Sequence, residues 1–290
     1  MVTGQQIGVL AHPTRPQTVP VAQRIAESLR ARGQDVWMLP TWTPEDVNPA
    51  LAASKLVIAI GGDGAMLRAS RVCADHGVPV LGVNMGYLGF LTEITRPDDW
   101  ERHLDEVVAG KYWVETRMMI EARVLRGSGS EVVAQTIALN DVVISRGTVT
   151  RMIQLDAYID GDWTTSYNAD ALIISSATGS TAYALACGGP ILPPELRNIL
   201  VVPVAPHLSL DRPIILPEGA QVTITVSPRV QAETVLSADG MPCAELLSGD
   251  RVHVRASELV SRFARLRERN YFYRSLLDRL EPRPLPPAEM

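Results

Sequence analysis

An apolar run that ends in a glycine-rich turn constrains the fold of this 290-residue chain most strongly. Residues 56–60 are apolar at every position, which is typical of a parallel strand covered on both faces. A Gly-Gly-Asp-Gly sequence follows at 61–64, then a helical pattern over 65–74 and a second apolar run over 78–83. This strand–helix–strand unit predicts a doubly wound α/β domain with a parallel sheet.

The sequence pattern changes from alternating strands and helices to short strands near residue 112. Before that point, strand patterns at 7–10 and 35–39 flank a helical pattern at 19–32. After it, turn-forming residues separate short apolar runs, which predict strands at 117–125, 131–139, 142–145, 152–159, 172–175, 200–204, 222–226 and 252–255. We therefore predict an α/β domain over 1–111, a mostly β domain over 112–260, and a C-terminal segment over 261–290 whose helix at 271–280 packs back on the first domain.

The composition excludes several classes of protein. Hydrophobic residues make up 46% and charged residues 20% of the chain, which excludes wholesale disorder. The net charge of −5 creates no positive field for nucleic acid, and no apolar run reaches the roughly 18 residues of a membrane span. The three cysteines form neither a disulfide framework nor a zinc motif, which favours a cytoplasmic protein without a metal site of its own. A basic cluster near the C-terminus is interpreted as a solvated or subunit-facing surface: Arg262, Arg265, Arg267 and Arg269.

The Gly-Gly-Asp-Gly turn is the sharpest chemical signal. Its glycines let the chain turn tightly and let backbone N–H groups approach a polyanion. The helix that follows adds a partial positive charge at its N-terminus. An aspartate would repel phosphate, so Asp63 indicates a base for a hydroxyl or a contact through Mg²⁺. The alternative is a plain strand-to-helix turn in which Asp63 is the N-cap.

Two further polar segments lie in the second half of the chain. The segment 178–183 reads Thr-Gly-Ser-Thr-Ala-Tyr, and Tyr183 offers a flat face for a base or ribose together with a hydroxyl. The alternative is a capped strand-to-helix turn with Tyr183 in the core. Asn140 and Asp141, hereafter the polar pair, stand between two predicted strands without a glycine. They are interpreted as ligands for ribose hydroxyls, with a hairpin turn as the alternative.

The three motifs, in this order and spacing, resemble the NAD kinase family, whose members phosphorylate the adenosine ribose 2′-hydroxyl of NAD to make NADP. The resemblance covers nearly the whole chain and extends to Asp170 and to runs at 84–91, 206–213 and 237–240. It implies an α/β N-terminal domain and a mostly β C-terminal domain with the active site in the cleft between them. It also implies NAD and ATP or polyphosphate as substrates, with Mg²⁺ bound to the phosphoryl donor.

The resemblance assigns roles to individual residues. Asp63 matches the catalytic aspartate that accepts the proton of the 2′-hydroxyl, and the polar pair matches the residues that bind the substrate. Other positions match residues that line the nucleotide sites: Gly64, Arg68, Phe90, Arg151, Asn168, Asp170, Thr181, Ala182, Tyr183, Ala184, Leu185, Ala186 and Ala205.

The chain departs from the family pattern without losing a catalytic carboxylate. Alanine stands at 65, 171 and 186 where the family usually has threonine, glycine and serine, and Met241 replaces a polar residue. These changes bear on donor preference and affinity. Two alternatives stay open: a lipid or small-alcohol kinase that shares the glycine turn, and a non-catalytic NAD(P)-binding regulator.

The resemblance also implies a homodimer or homotetramer built through the second domain. The segment 205–212 is expected to lie near both an interface and the pocket, because 201–206 is too apolar for an open loop. The alternative is that this run is a core strand of one subunit.

Overall fold

The computed structural model of the chain describes residues 5–86, 89–127, 129–147, 151–229, 233–273 and 276, which form two compact units. The first unit takes in the described residues of Met1–Ala69, Val78–Val114 and Ala264–Met290, and the second unit those of Ser70–Gly77 and Glu115–Phe263. Compactness alone does not define a functional domain, so the predicted limits 1–111, 112–260 and 261–290 stay a prediction.

The first unit is built on a parallel sheet of β1 (Gln6–Leu10), β2 (Val36–Leu39), β3 (Ser54–Gly61) and β4 (Val80–Asn84), in the order β2-β1-β3-β4. The chain leaves β1 towards one side of the sheet and then crosses to the other, so the strand order reverses between β1 and β3. Ligands of open α/β sheets bind at the carboxyl ends of the strands at such a point. The predicted α/β fold with a parallel sheet is confirmed.

Helices accompany this sheet: α1 (Val19–Ala31), α2 (Pro44–Leu51), α3 (Asp63–Ala74) and α4 (Trp100–Val108). Helix α1 buries Ala22, Ile25, Ala26 and Leu29, the spacing of one helical face. Helix α4 buries Trp100, Leu104 and Val107 in the same hydrophobic core. The sequence pattern did not predict α2 and α4. No helix in the described part of the chain is long and apolar enough to cross a membrane.

The second unit consists mainly of strands, which confirms the predicted mostly β domain. They are β5 (Trp113–Leu125), β6 (Val132–Ala138), β7 (Asp141–Arg146), β8 (Ile153–Ile159), β9 (Asp162–Ala169), β10 (Ala171–Ser176), β11 (Asn198–Val204), β12 (Ile214–Pro217), β13 (Val222–Val226), β14 (Thr234–Ala238), β15 (Met241–Leu246) and β16 (Arg251–Arg265). The first two residues of β5 and the last two of β16 belong to the first unit.

These strands form two layers. In one layer β16, β13, β8 and β9 pair in that order, and β5 pairs with β16 and β6. The other layer is an antiparallel sheet in the order β12-β11-β10-β7-β14-β15. Buried side chains of both layers, such as Ile120, Leu155, Ile174 and Leu236, form one hydrophobic cluster.

The strands that the sequence pattern missed lie at or next to sheet edges. Strands β9, β12 and β15 are edge strands, and β14 is the neighbour of β15. An edge strand has one side open to solvent and needs no regular apolar alternation. Strand β16 was predicted only over 252–255, although it runs from Arg251 to Arg265. Strand β11 has a buried centre between β10 and β12, which supports the alternative interpretation of 201–206 as a core strand.

The predicted surface role of the C-terminal arginines is wrong for Arg265. Its side chain is 0% exposed, pairs with Glu93 at 3.1 Å and lies over the ring of Tyr271. Arg267 also pairs with Glu93, at 2.9 Å, because this buried carboxylate needs compensating positive charge. In the predicted helix at 271–280, residues 271–273 are helical, and all the rest except Leu276 lie outside the described residues.

Candidate active site

The glycine turn at 61–64, hereafter the glycine loop, connects β3 to α3. Gly61 has φ of 153°, and a Cβ there would lie 2.6 Å from the Cβ of Ala65, so this position requires glycine. The carbonyl of Gly62 accepts hydrogen bonds from the N–H groups of Ala65 and Met66, which starts the helix. A Cβ on Gly62 or Gly64 would meet no atom within 4 Å. Packing therefore does not require glycine at these two positions, and their bare backbone leaves room for a ligand.

Asp63 is the first residue of α3, and its carboxylate is fixed by a distant loop. Oδ2 accepts a hydrogen bond from Phe90 N–H at 2.8 Å, and Oδ1 accepts one from Leu91 N–H at 2.9 Å. A Cβ on Gly89 would collide with this carboxylate. The N-cap interpretation of Asp63 is therefore wrong, because Gly62 occupies the position before the helix and the carboxylate binds amides elsewhere. The neighbouring Tyr87 and Leu88 lie outside the described residues.

Basic side chains lie beside the glycine loop at the carboxyl end of β1. His12 is 9% exposed, and its Nδ1 is 3.2 Å from Thr14 N–H. Its ring carbon Cδ2 lies 3.4 Å from where a Cβ on Gly61 would be. Burial lowers the pKa of His12, and the guanidinium groups of Arg15 and Arg68 lower it further. Sequence analysis missed His12 and Arg15, although a polar residue that follows the first strand of a parallel sheet is a usable signal.

In the second unit, the polar pair lies at the start of β7. The Asn140 carbonyl accepts hydrogen bonds from Ser176 N–H at 2.9 Å and from the Ser175 hydroxyl at 3.0 Å. Strand β6 pairs with β5, whereas β7 pairs with β10 and β14. The hairpin-turn alternative for Asn140 and Asp141 is therefore wrong.

The carboxyl group of Asp141 is almost fully buried, with 5% exposure. Burial, and next the negative charge of Asp239, raise its pKa to about 7. Burial also raises the pKa of Asp239, while hydrogen bonds from the amides of 139–141 and the charge of Arg71 oppose this increase. The Asp239 carboxyl group thus lies beside Asp141, one of the two residues predicted to bind ribose. Sequence analysis noted the run at 237–240 but assigned Asp239 no role.

The segment 178–186 packs through Ala184 against the antiparallel sheet that contains β7, β10 and β11. A short 3₁₀ helix (Thr178–Thr181) leads into α5 (Tyr183–Ala186). A Cβ on Gly179 would overlap the Asn140 carbonyl oxygen and the Ser175 hydroxyl, so the segment approaches the polar pair closely. Tyr183 is 45% exposed, which makes its placement in the core wrong. Thr178 is buried, and its hydroxyl has no hydrogen-bond partner among the described residues.

The remaining predicted positions of the second unit differ in their contacts and in their exposure. Asp170 pairs with Arg146 at 3.0 Å, and the Asn168 carbonyl accepts a hydrogen bond from His207 N–H at 2.8 Å. Ala205 has φ of 47°, a conformation that alanine rarely adopts and that often marks a functional position. Arg151 is exposed. The side chains of Thr181, Ala182 and Leu185 are half-buried, that of Ala186 is exposed, and that of Ala184 is packed in the core.

Within the first unit, Gly64 is exposed and Arg68 and Phe90 are half-buried. The described residues contain no group of three His, Cys, Asp or Glu side chains that could hold a metal ion by themselves.

Comparison with known proteins decides the family. The ATP-NAD kinase N-terminal domain family matches residues 41–112, and the ATP-NAD kinase C-terminal domain family matches residues 139–266. An NAD kinase of Heliobacterium modesticaldum is 39% identical over 273 residues, which cover 92% of this chain and 95% of that protein. An NAD kinase of Pseudomonas aeruginosa is 45% identical over 217 residues, which cover 75% of this chain and 72% of that protein.

The chain belongs to the NAD kinase family. As a member it is an enzyme that phosphorylates NAD to NADP, which confirms the prediction from the motifs, and the lipid-kinase and regulator alternatives are not favoured.

Solved structures of NAD kinases share the fold. Yeast NADH kinase complexed with NADH superimposes with a TM-score of 0.83 and 25% identity, over 98% of this chain and 90% of that one. An NAD kinase from Archaeoglobus fulgidus in complex with ATP superimposes with a TM-score of 0.74 and 22% identity, over 94% and 98% of the two chains.

Proposed function

We propose that Asp63 is the general base that deprotonates the adenosine ribose 2′-hydroxyl of NAD while this oxygen attacks the γ-phosphorus of ATP. The hydroxyl proton passes to the Asp63 carboxylate, and ADP leaves. The observation that carries the proposal is the pair of hydrogen bonds from Phe90 and Leu91 N–H to the two carboxylate oxygens. Each oxygen keeps a second acceptor position, so the carboxylate is oriented and still able to take a proton.

The phosphates of the donor bind at the glycine loop in this proposal. Two of the first four N–H groups of α3, those of Ala65 and Met66, donate to the Gly62 carbonyl. Those of Asp63 and Gly64 precede the first turn of the helix, and a Cβ on Gly62 or Gly64 would meet no atom within 4 Å, so this end of the helix is open to phosphates. Arg68 and Arg15, beside His12, supply positive charge at the same edge of the sheet. Alignment and charge neutralisation contribute most of the catalysis in phosphoryl transfer.

The dinucleotide binds through the second unit. Asn140 has no side-chain hydrogen bond among the described residues, and its amide can bind ribose hydroxyls together with the Asp141 carboxylate. The exposed ring of Tyr183 offers a face for stacking, and the unpartnered hydroxyl of Thr178 lies in the same segment. We infer supporting contacts from the other positions that match the family: Phe90, Arg151, Asn168, Asp170, Thr181, Ala182, Ala184, Leu185, Ala186 and Ala205.

A divalent cation accompanies the donor. When bound, the cation would supply charge neutralisation on the donor phosphates. The Asp63 carboxylate would offer it an oxygen ligand from the glycine loop, while the N–H groups of the loop would bind the phosphates themselves. The match to the two ATP-NAD kinase domain families supports ATP as the donor.

We also infer a cytoplasmic homodimer or homotetramer. All three cysteines are free thiols, as expected in a reducing compartment. Leu208 is 91% exposed with φ of 48°, and Leu210 is 37% exposed. An exposed leucine in a strained conformation, inside the segment predicted to lie at an interface, supports burial by a second subunit. Light scattering at micromolar concentration tests the assembly, and a monomer with full activity would contradict it.

One assay tests the proposed reaction. The chain is incubated with NAD, ATP and Mg²⁺, and the NADP formed is measured with a dehydrogenase that accepts NADP but not NAD; the phosphorylated products of the other acceptors are measured by mass spectrometry. Parallel reactions contain diacylglycerol in place of NAD, NADH in place of NAD, and polyphosphate in place of ATP. We expect product from NAD with ATP and none from diacylglycerol. Binding of NAD by calorimetry without any turnover would contradict the proposal.

A further inference from the structure

Two turns of the second unit have the same sequence and backbone conformation but different surroundings. Asp160 and Gly161 connect β8 to β9 with φ of 52° and 92°, and Asp239 and Gly240 connect β14 to β15 with φ of 49° and 75°. Positive φ at both central residues is typical of the tight turns that suit antiparallel hairpins, and aspartate followed by glycine is a preferred sequence there. The turn geometry alone therefore explains both Asp-Gly pairs.

The environments of the two carboxylates differ. Asp160 is exposed and accepts a hydrogen bond from a single amide, Gln221 N–H, at 2.8 Å. Asp239 accepts hydrogen bonds from Leu139 N–H at 2.9 Å, Asn140 N–H at 2.7 Å and Asp141 N–H at 3.3 Å. Both aspartates also donate their own N–H to a carbonyl at 2.9 Å, Asp160 to that of Gln221 and Asp239 to that of Asp141, so the difference lies in what their carboxylates bind. The carboxylate of the second turn thus binds both N–H groups of the polar pair, and the backbone N–H of Asp239 binds the Asp141 carbonyl.

We propose that Asp239 is the positioning residue of the NAD site, a role that rests on the proposed function: its carboxylate accepts hydrogen bonds from Asn140 N–H and Asp141 N–H and so holds the backbone of the polar pair in place. Consecutive N–H groups that point at one carboxylate leave the side chains of the pair free to face a ligand. The Asp141 side chain is nearly fully buried, so a neighbouring negative charge acts on it with little screening by water.

Among the described residues, the other ionisable groups that act on these two carboxyl groups are Arg71 and Tyr183. Arg71 from α3 acts on Asp239 and donates a hydrogen bond to the Thr136 hydroxyl at 2.8 Å. Tyr183 from α5 is close enough to Asp141 for their charges to interact. Asp239 itself is the group whose negative charge opposes ionisation of Asp141. Removal of the Asp239 charge therefore makes Asp141 lose its proton at a lower pH.

Two substitutions separate the functions of the turn and of the carboxylate. Asp239→Asn keeps a residue that tolerates positive φ and keeps one oxygen acceptor, but it removes the charge. Asp239→Gly keeps the turn and removes every acceptor. Asp160→Asn and Asp160→Gly are the matched controls, because they make the same changes in the same kind of turn away from the polar pair.

Hydrogen exchange tests the positioning without any turnover. We expect amides 139–141 to exchange at least tenfold faster in Asp239→Gly than in the unmodified protein, with no change in the Asp160 variants. Calorimetry should show NAD binding at least tenfold weaker in Asp239→Gly. Unchanged exchange and unchanged NAD affinity would overturn the proposal.

The pH dependence of kcat/KM for NAD tests the electrostatic part. We expect Asp239→Asn to raise KM for NAD, to leave KM for ATP within twofold, and to move the acid limb of the profile to lower pH. A purely structural role would raise KM for NAD and KM for ATP alike, and that result would overturn the proposal. If the unmodified chain bound NAD but formed no NADP, the proposed function would fail, while exchange and calorimetric affinity would still decide the role of Asp239.

Discussion

The two units assemble their polar residues in different ways. In the first unit, the glycine loop is one continuous segment between a strand and a helix, and Asp63 is oriented by amides 27 and 28 residues further along the chain. In the second unit, the polar pair is held by Asp239, 98 and 99 residues away, and by Ser175 and Ser176 on a neighbouring strand. A continuous motif can be recognised in sequence, whereas a site built from several antiparallel strands depends on their register.

This difference predicts where substitutions act. Changes at the glycine loop should affect the chemical step, since Asp63 is proposed to take the proton. Changes around the polar pair should affect the binding of NAD, because the strands there position binding groups and not the reacting proton.

Asp63→Asn should have the largest effect. Asparagine keeps the shape of the side chain but cannot accept the hydroxyl proton, so kcat should fall by about 10²–10⁴-fold while NAD affinity stays within a few-fold. Steady-state kinetics and calorimetry measure the two quantities. The control is Asp75→Asn, at an exposed aspartate just beyond the end of α3, which should leave kcat unchanged. Near-normal turnover of Asp63→Asn would contradict the assignment of the chemical step to the glycine loop.

Gly179→Ala should disturb the second unit without touching a charged group. The added Cβ would overlap the Asn140 carbonyl oxygen, so the polar pair or the segment at 178–186 must shift. Overpacking of this kind costs about 1–3 kcal/mol of stability, and we expect KM for NAD to rise more than KM for ATP. Gly219→Ala is the control, because a Cβ there meets no atom within 4 Å. Equal increases in KM for NAD and KM for ATP would contradict the assignment of NAD binding to the second unit.

Asn140→Ala should weaken NAD binding by about 1–3 kcal/mol, the usual cost of an unmatched hydrogen-bonding group. The effect should appear in KM for NAD and leave KM for ATP unchanged. Asn198→Ala removes an asparagine of β11 whose amide donates to the Leu216 carbonyl at 3.1 Å, and it should change neither KM. A rise in KM for ATP alone would mean that the pair belongs to the donor site.

The raised pKa of Asp141 predicts a pH dependence of stability with a definite sign. The folded protein holds this proton up to about pH 7, whereas the unfolded chain releases it near the ordinary pKa of 3.8. The contribution of Asp141 to the free energy of unfolding therefore falls as the pH rises from about 4 to 7 and is constant above that range. Asp141→Asn removes this dependence. Thermal melts at pH 5 and pH 8 should show the variant gaining stability relative to the unmodified protein at pH 8, and an equal difference at both pH values would contradict the assignment.

Much of the fold could be predicted from local patterns. The run at 56–60, the glycine loop and the helical face of α1 each combine apolar spacing with the expected turn chemistry, so β3, α3 and α1 were recognised. Strand β9 could not be recognised, because its first three residues are exposed and its apolar and polar residues do not alternate. Pairing with β8 alone makes it a strand. Strand β16 was predicted at a quarter of its length for a related reason: its exposed positions interrupt the apolar alternation.

The amino-acid sequence by itself determined the glycine loop, the polar pair and the family, because these are stretches whose chemistry depends on adjacent residues. Only the tertiary structure decided which backbone amides orient Asp63, that Arg265 is buried against Glu93, and that one of two identical Asp-Gly turns binds the polar pair. The physical reason is that burial, charge and hydrogen bonding between distant residues depend on strand pairing. Asp160 and Asp239 have the same local sequence and the same backbone conformation, and their neighbours in space alone give them different roles.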